Sequence, residues 1–284
     1  MITTFFNGKF IEENELVLPI EERGHNFGDG IYDVIRIHEG APFYFEEHLD
    51  RIFMSAEAIR LEIGYDRPAF RALLLDIIKK NGGSNLDLYL QVTRGIAKRN
   101  HTFPDCPSSL SVIVRPSNPS FGSQKNGAMF HPDERWSNCY IKSLNLLPNI
   151  LANQLAHEKG LIEAILHKDG FVTEGTRTSV MMVKNGEIWA TPLSKQILSS
   201  ITRMAAKEAA QKVGIPFVEK KFTPQELLDA DEIFLAGTLS EILPIHQVED
   251  TLINQGKTGE ITAKLQESFA EVKLEDKAKF LVGV

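Results

Sequence analysis

Cysteine and tryptophan are scarce, two of each in 284 residues, and the chain has neither a long apolar run nor a block of basic residues. Each shortage excludes something. Cys106 and Cys139 stand far apart without metal-ligand spacing, which argues against a disulfide framework and for a reducing compartment. His25, His48 and His157 show no His-x-x-x-His or His–Cys pattern, so no metal is expected. No stretch approaches the roughly 18 apolar residues of a membrane span. Residues 1–10 lack the charged start and apolar core of a secretion signal, and a cytoplasmic location is expected. A net charge of −7 with no basic stripe argues against nucleic acid as a partner.

What is present is an ordinary globular composition, 43% hydrophobic and 24% charged, in a length that suits two domains. A polar stretch rich in Pro, Gly and Ser covers residues 117–126 and reads as a linker. It divides a smaller N-terminal domain, 1–116, from a larger one, 127–284. Asn7-Gly8, Asp169-Gly170 and Asn185-Gly186 signal hairpin turns. Residues 31–38, 88–93, 110–114, 129–145 and 232–236 read as strands. Helices are expected at 49–59, from Pro68 to about 81, from Pro148 to 159, and from a Ser199 or Ser200 cap to about 213. Strands and hairpins dominate both halves, which predicts an α/β (α+β) fold with mixed sheets rather than a doubly wound parallel sheet.

Lys142 lies in the strand-like run Cys139-Tyr-Ile-Lys-Ser-Leu-Asn-Leu-Leu147, where burying an unpaired ammonium is expensive. Glu174 follows in Val172-Thr-Glu-Gly-Thr176. Two readings stand. Lys142 snorkels outward and Glu174 merely ends a hairpin, or the two form a cofactor site in which the lysine makes a Schiff base. Ser199-Ser-Ile-Thr-Arg203 opens a helix and Gly237-Thr238 follows a strand; such places offer unpaired amides to an anion. Arg51 could add charge, although it lies off the apolar stripe of its helix and reads by default as exposed. Arg94-Gly-Ile-Ala-Lys-Arg-Asn-His101 is either a solvated basic loop or a carboxylate trap.

Over nearly its whole length the chain resembles the class IV (fold-type IV) pyridoxal-phosphate transaminases, most closely the D-amino acid transaminases. The resemblance rests on Arg23-Gly-x-x-Phe-Gly-Asp-Gly-x-Tyr32, Glu47-His-Leu-Asp-Arg51, Gln91-Val-Thr-Arg-Gly95, Ile141-Lys-Ser-Leu-Asn-Leu-Leu147, Ala156-His-Glu-Lys-Gly160, Glu163-Ala-Ile-Leu-His167, Val172-Thr-Glu-Gly175 and Ser240-Glu-Ile242. It implies a two-domain fold with a barrel-like larger domain that binds pyridoxal 5'-phosphate. Lys142 would form the Schiff base and move the proton, and Glu174 would pair with the pyridine nitrogen. Arg51, Ile201, Thr202 and Thr238 would hold the phosphate, and Leu198 would pack on the ring. Tyr32, Arg99 and His101 would hold the substrate α-carboxylate, the last two reaching across a homodimer interface so that the active site is shared.

The implied activity is ping-pong transamination of D-alanine or D-glutamate with 2-oxo acids. A 4-amino-4-deoxychorismate lyase, a branched-chain L-amino acid transaminase and a non-catalytic cofactor-binding protein are the alternatives. One departure stands out: Thr176-Arg-Thr-Ser179 follows Glu174-Gly175, where the D-specific members usually carry small hydroxyl residues and an asparagine. Arg177 either faces solvent from a strand edge or enters the substrate pocket to bind a carboxylate. Arg36, in the strand after Tyr32, is a further candidate of the same kind.

Overall fold

The computed structural model describes residues 4–12, 15, 17–82, 84–117 and 126–282, so residues 118–125 of the expected linker lie outside the described residues. The chain divides into two compact units, one formed by Met1–Asn118, Ile141–Asn145 and Asp276–Val284, the other by Pro119–Tyr140 and Leu146–Glu275.

The first unit contains β1 (Thr4–Phe6), β2 (Lys9–Ile11), α1 (Arg23–Phe27), β3 (Gly30–His38), β4 (Ala41–Pro42), α2 (Phe45–Ala58), α3 (Arg67–Asn81), β5 (Leu86–Thr93) and β6 (Ser109–Pro116). Its strands form one antiparallel sheet in the order β2-β1-β6-β5-β3-β4. Strand residues alternate between faces. On one face Ile31, Ile35 and Ile37 of β3, Leu88, Leu90 and Val92 of β5, and Val112 and Val114 of β6 are buried, as are Leu49, Ile52 and Ala56 of α2. The other face carries Tyr32, Val34 and Arg36, set opposite Gln91, Tyr89 and Asp87.

The Lys142 segment departs from expectation. Of residues 129–145 only those to Pro132 are strand, and Lys142 lies in an irregular stretch. The reason is local. Arg135 folds back on Asp133 and breaks the ladder, with its amide 3.2 Å from the Asp133 carboxylate. Residues 141–145 then run beside the start of β3, where the Tyr32 amide donates to Lys142 O (2.9 Å) and the Leu144 amide to Gly30 O (3.1 Å). Gly30 allows this approach, since an added Cβ would lie 2.9 Å from Leu144 Cδ1.

The second unit contains β7 (Gly127–Pro132), α4 (Leu147–Glu158), β8 (Glu163–Lys168), β9 (Phe171–Gly175), β10 (Ser179–Lys184), β11 (Glu187–Ala190), α5 (Ile201–Lys212), β12 (Phe217–Glu219), α6 (Pro224–Leu228), β13 (Glu232–Gly237), β14 (Glu241–Ile245), β15 (Gln247–Val248) and β16 (Thr251–Leu252). A last helix, α7 (Glu260–Val282), goes with this unit through Glu275 and with the first from Asp276. Two five-stranded sheets, β12-β11-β10-β13-β14 and β16-β15-β7-β8-β9, mix parallel and antiparallel pairs. Ile165, Val172, Val180, Met182, Phe222, Ile233, Leu235 and Leu243 bury into one core. The barrel-like character expected of the larger domain thus takes the form of two open sheets around a common core. At Asp169-Gly170 and Asn185-Gly186 both residues have positive φ, the geometry of tight hairpin turns.

Candidate active site

In the first unit Lys142 is half-buried between the buried Ile141 and Ser143. Its Nζ lies 3.5 Å from the Tyr32 hydroxyl and 4.5 Å from the centre of the Tyr32 ring. The amine does not snorkel freely into solvent, as one of the two readings had it, but rests on an aromatic face. Arg51 corrects its default reading as a surface residue. It is buried, and Asp33 from β3 receives its Nε at 2.9 Å and its Nη2 at 2.7 Å. His48 Nδ1 lies 2.9 Å from the same carboxylate.

Burial acts to raise the Asp33 pKa, but Arg51 and His48 together hold it well below the ordinary carboxylate range. Burial lowers the His48 pKa against the pull of Asp33, so this histidine is neutral at pH 7. Because its pKa is depressed on folding, Asp33 contributes stability above about pH 3.9, lost as the pH falls below that value. Asp33→Asn would leave a buried guanidinium without its carboxylate, at a cost of about 3–5 kcal/mol. Urea unfolding at pH 7 should show that loss; a change below about 1 kcal/mol would mean that the pair is dispensable.

Arg99 and His101 sit on an exposed loop, and both lie against Phe27 of α1. The Arg99 guanidinium is 4.9 Å from the ring centre, and the two rings are 5.6 Å apart. Two buried arginines hold this loop. Arg23 donates to Asp29 (2.8 Å) and to Asn100 O (2.6 Å), while Arg94 donates to Asp29 and to the carbonyls of Ile59 and Arg60. The basic loop is therefore anchored at its base and presents only its tip.

In the second unit Glu174 is buried at the end of β9. It accepts from Arg135 Nη1 at 2.5 Å and from the Leu198 amide at 3.3 Å. Arg135 also grips Asp133 through Nε (2.9 Å) and Nη2 (2.7 Å), and Thr173 donates to Asp133 at 2.7 Å. Burial pushes the Glu174 pKa up despite Arg135. Burial also pushes the nearby Cys139 thiol up to about 11. Two carboxylates share one guanidinium, so with both ionised the cluster is one positive charge short.

Ile201 and Thr202 open α5, whose Ser200 cap accepts from the Arg203 amide (3.2 Å), and both are buried. Thr238 is half-buried in the turn after β13. The hydroxyl run beyond Glu174 also gains an explanation. Buried Glu163 accepts from the Thr176 amide (3.0 Å), the Thr176 hydroxyl and the Thr178 hydroxyl (2.9 Å). Gly175 makes room, because an added Cβ would lie 2.9 Å from the Glu163 carboxyl carbon. The Ser179 Oγ is buried without a hydrogen-bond partner. Arg177, on this turn, is exposed.

Asp33, His48, Asp133, Arg135 and Glu163 were not picked out as working residues from the sequence. Charges inside apolar strand patterns, Asp33 in β3 above all, were the available signal. Arg135 carried none, since an Asp-x-Arg pair is common on surfaces.

The class IV amino-transferase family model matches residues 30–248. A D-alanine aminotransferase from Listeria innocua is 40% identical over 271 residues, 93% of this chain and 94% of its own. A branched-chain amino acid aminotransferase from Escherichia coli superposes with a TM-score of 0.89 at 22% identity, covering 97% of this chain and 95% of its own. The branched-chain amino acid aminotransferase from T.th., complexed with N-(5'-phosphopyridoxyl)-L-glutamate, gives a TM-score of 0.88 at 22% identity over 98% and 96%. The chain belongs to the class IV aminotransferase family. It is a pyridoxal-phosphate-dependent aminotransferase with the mixed α/β architecture of fold type IV.

Proposed function

We propose that this enzyme transfers amino groups between D-amino acids, D-alanine and D-glutamate first among them, and 2-oxo acids. The observation that carries the substrate class is the 40% identity to a protein named D-alanine aminotransferase over 93% of the chain. The residues present fit the cofactor. The Asp133–Arg135–Glu174 cluster lacks one positive charge, and a protonated ring nitrogen would supply it. The helix start at Ile201 and Thr202 offers amides to a phosphate.

When bound, the cofactor supplies an electron sink for charge developing at the substrate Cα. Lys142 Nζ would hold the cofactor between turnovers and carry the proton to and from that carbon. Glu174 would keep the ring-nitrogen proton in place. Arg51, fixed by Asp33, would hold the phosphate together with Ile201, Thr202 and Thr238, and Leu198 would pack on the ring. Tyr32, Arg99 and His101 would take the substrate α-carboxylate. Arg177 is a further candidate for a carboxylate; unchanged kinetics of Arg177→Ala with both D-alanine and D-glutamate would take it out of the site.

A homodimer completes the reading. Leu147, Ile150, Leu151 and Leu155 form an exposed apolar stripe on α4, and no charged residue occurs from Leu147 to Ala156. A two-fold contact sets like residues near one another, and this face sets no like charges opposed. The pair Leu151→Glu and Leu155→Glu should halve the sedimentation mass; an unchanged mass would rule α4 out as the contact. Two free cysteines fit a cytoplasmic location, and among the described residues no helix is long and apolar enough to cross a membrane.

Mixing the holoenzyme separately with D-glutamate, L-glutamate and aminodeoxychorismate tests the reaction. Loss of the visible cofactor band with the D isomer alone supports the proposal. Bleaching by L-glutamate alone overturns it in favour of an L-specific transaminase, and release of 4-aminobenzoate would make the enzyme a lyase.

A further inference from the structure

Along β3 the residues on the Lys142 side of the sheet are Tyr32, Val34 and Arg36, and their partners on β5 are Gln91, Tyr89 and Asp87. Tyr32 carries the Lys142 amine and stacks on Tyr89 with ring centres 5.8 Å apart. Tyr89 in turn donates to Gln91 at 2.8 Å, and burial pushes its phenol up to about 12, so it stays a neutral wall. One step further along the same face, the buried Arg36 forms an ion pair with Asp87, Nε against one carboxylate oxygen and Nη2 donating to the other at 3.4 Å. An arginine on this face would ordinarily attract a second substrate carboxylate. Here its charge is already taken by a carboxylate from the neighbouring strand.

We propose that the Arg36–Asp87 pair sets substrate specificity: by cancelling the charge of Arg36, Asp87 denies the side-chain end of the substrate a cationic receptor and favours monocarboxylic over dicarboxylic amino acids. Direct contact is not required, because a net charge on a partly desolvated face acts over several ångströms. Asp87 is the adjustable member. Its side chain keeps 21% of its exposure while that of Arg36 keeps 6%, so removing the acid takes the compensating negative charge away from a buried arginine. The inference rests on the amino acid transaminase reading above.

The experiment compares wild type, Asp87→Asn and the doubly neutral Arg36→Gln/Asp87→Asn. In Asp87→Asn the kcat/KM ratio of D-glutamate to D-alanine should rise about tenfold, a step of about 1.4 kcal/mol. The double variant should return to the wild-type ratio, which also separates a charge effect from a change in packing. Binding of glutarate against valerate, measured by calorimetry on the holoenzymes, should move in the same direction. An unchanged glutamate-to-alanine ratio and an unchanged glutarate-to-valerate ratio in folded Asp87→Asn would overturn the proposal. So would a rise of equal size in the double variant. Should wild type turn over no D-amino acid, the transaminase reading fails by itself, and the glutarate comparison still decides the role of the pair.

Discussion

Lys142→Ala is expected to lower transamination by about four orders of magnitude, the upper range for a positioned proton carrier, while leaving the fold intact. The expectation follows from where the amine sits. Lys142 is half-buried in an irregular segment held to β3 by backbone hydrogen bonds, and its Nζ rests on the Tyr32 ring. Its backbone amide donates to the Ser55 hydroxyl at 3.3 Å, so truncating the side chain leaves the segment anchored. Near-wild-type melting together with a lost visible cofactor band is the predicted outcome. If the variant kept more than about a hundredth of wild-type turnover, another group would have to carry the proton, and Lys142 would lose its assigned role.

Glu174→Gln is expected to separate stability from activity. The Glu174 pKa is raised by burial, so the folded state holds this proton more tightly than the unfolded chain does. Stability is therefore lost as the pH rises from about 4.3, the ordinary glutamate value, through the raised one. Glutamine carries no such penalty, and Arg135 keeps Asp133 as its partner. Without cofactor, the variant should match or exceed wild-type stability at pH 7, with the gain shrinking toward pH 4. Activity should fall by about 10² to 10³-fold, the range seen when one preorganised electrostatic partner is removed. Stabilisation by added cofactor should also be smaller, because the cluster no longer lacks a positive charge. An apo-protein less stable than wild type at pH 7 and no better at pH 4 would show that Glu174 is structural rather than poised for a cation.

These two outcomes divide the labour between the units. The first holds its buried charge by pairing: Asp33 fixes Arg51, and Asp29 fixes Arg23 and Arg94. The second leaves one charge unmatched around Glu174. Stability and function thus pull in opposite directions at Glu174 and in the same direction at Asp33.

The elements were readable wherever turn chemistry or capping is local. Asn7-Gly8, Asp169-Gly170 and Asn185-Gly186 all take the positive φ values that their residue types favour. Ser200 caps α5 as its side-chain chemistry predicts. By contrast, α7 was not foreseen. Its buried stripe of Leu265, Phe269 and Val272 is diluted by the exposed Leu274 and Leu281, and its first turn is capped from afar by Glu232, which receives the Ile261 and Thr262 amides.

The family was legible in short runs of residues, since a motif is a local property of the chain, and the lysine and the acid proposed for the site stand in those same runs. The surroundings that give those residues their chemistry were not. Asp33 reaches Arg51 from eighteen residues away, Arg135 reaches Glu174 across thirty-nine, and Arg36 meets Asp87 across fifty-one. Ionisation depends on burial and on the charge of groups a few ångströms away, and the folding of strands beside helices and of one strand beside another brings those groups together.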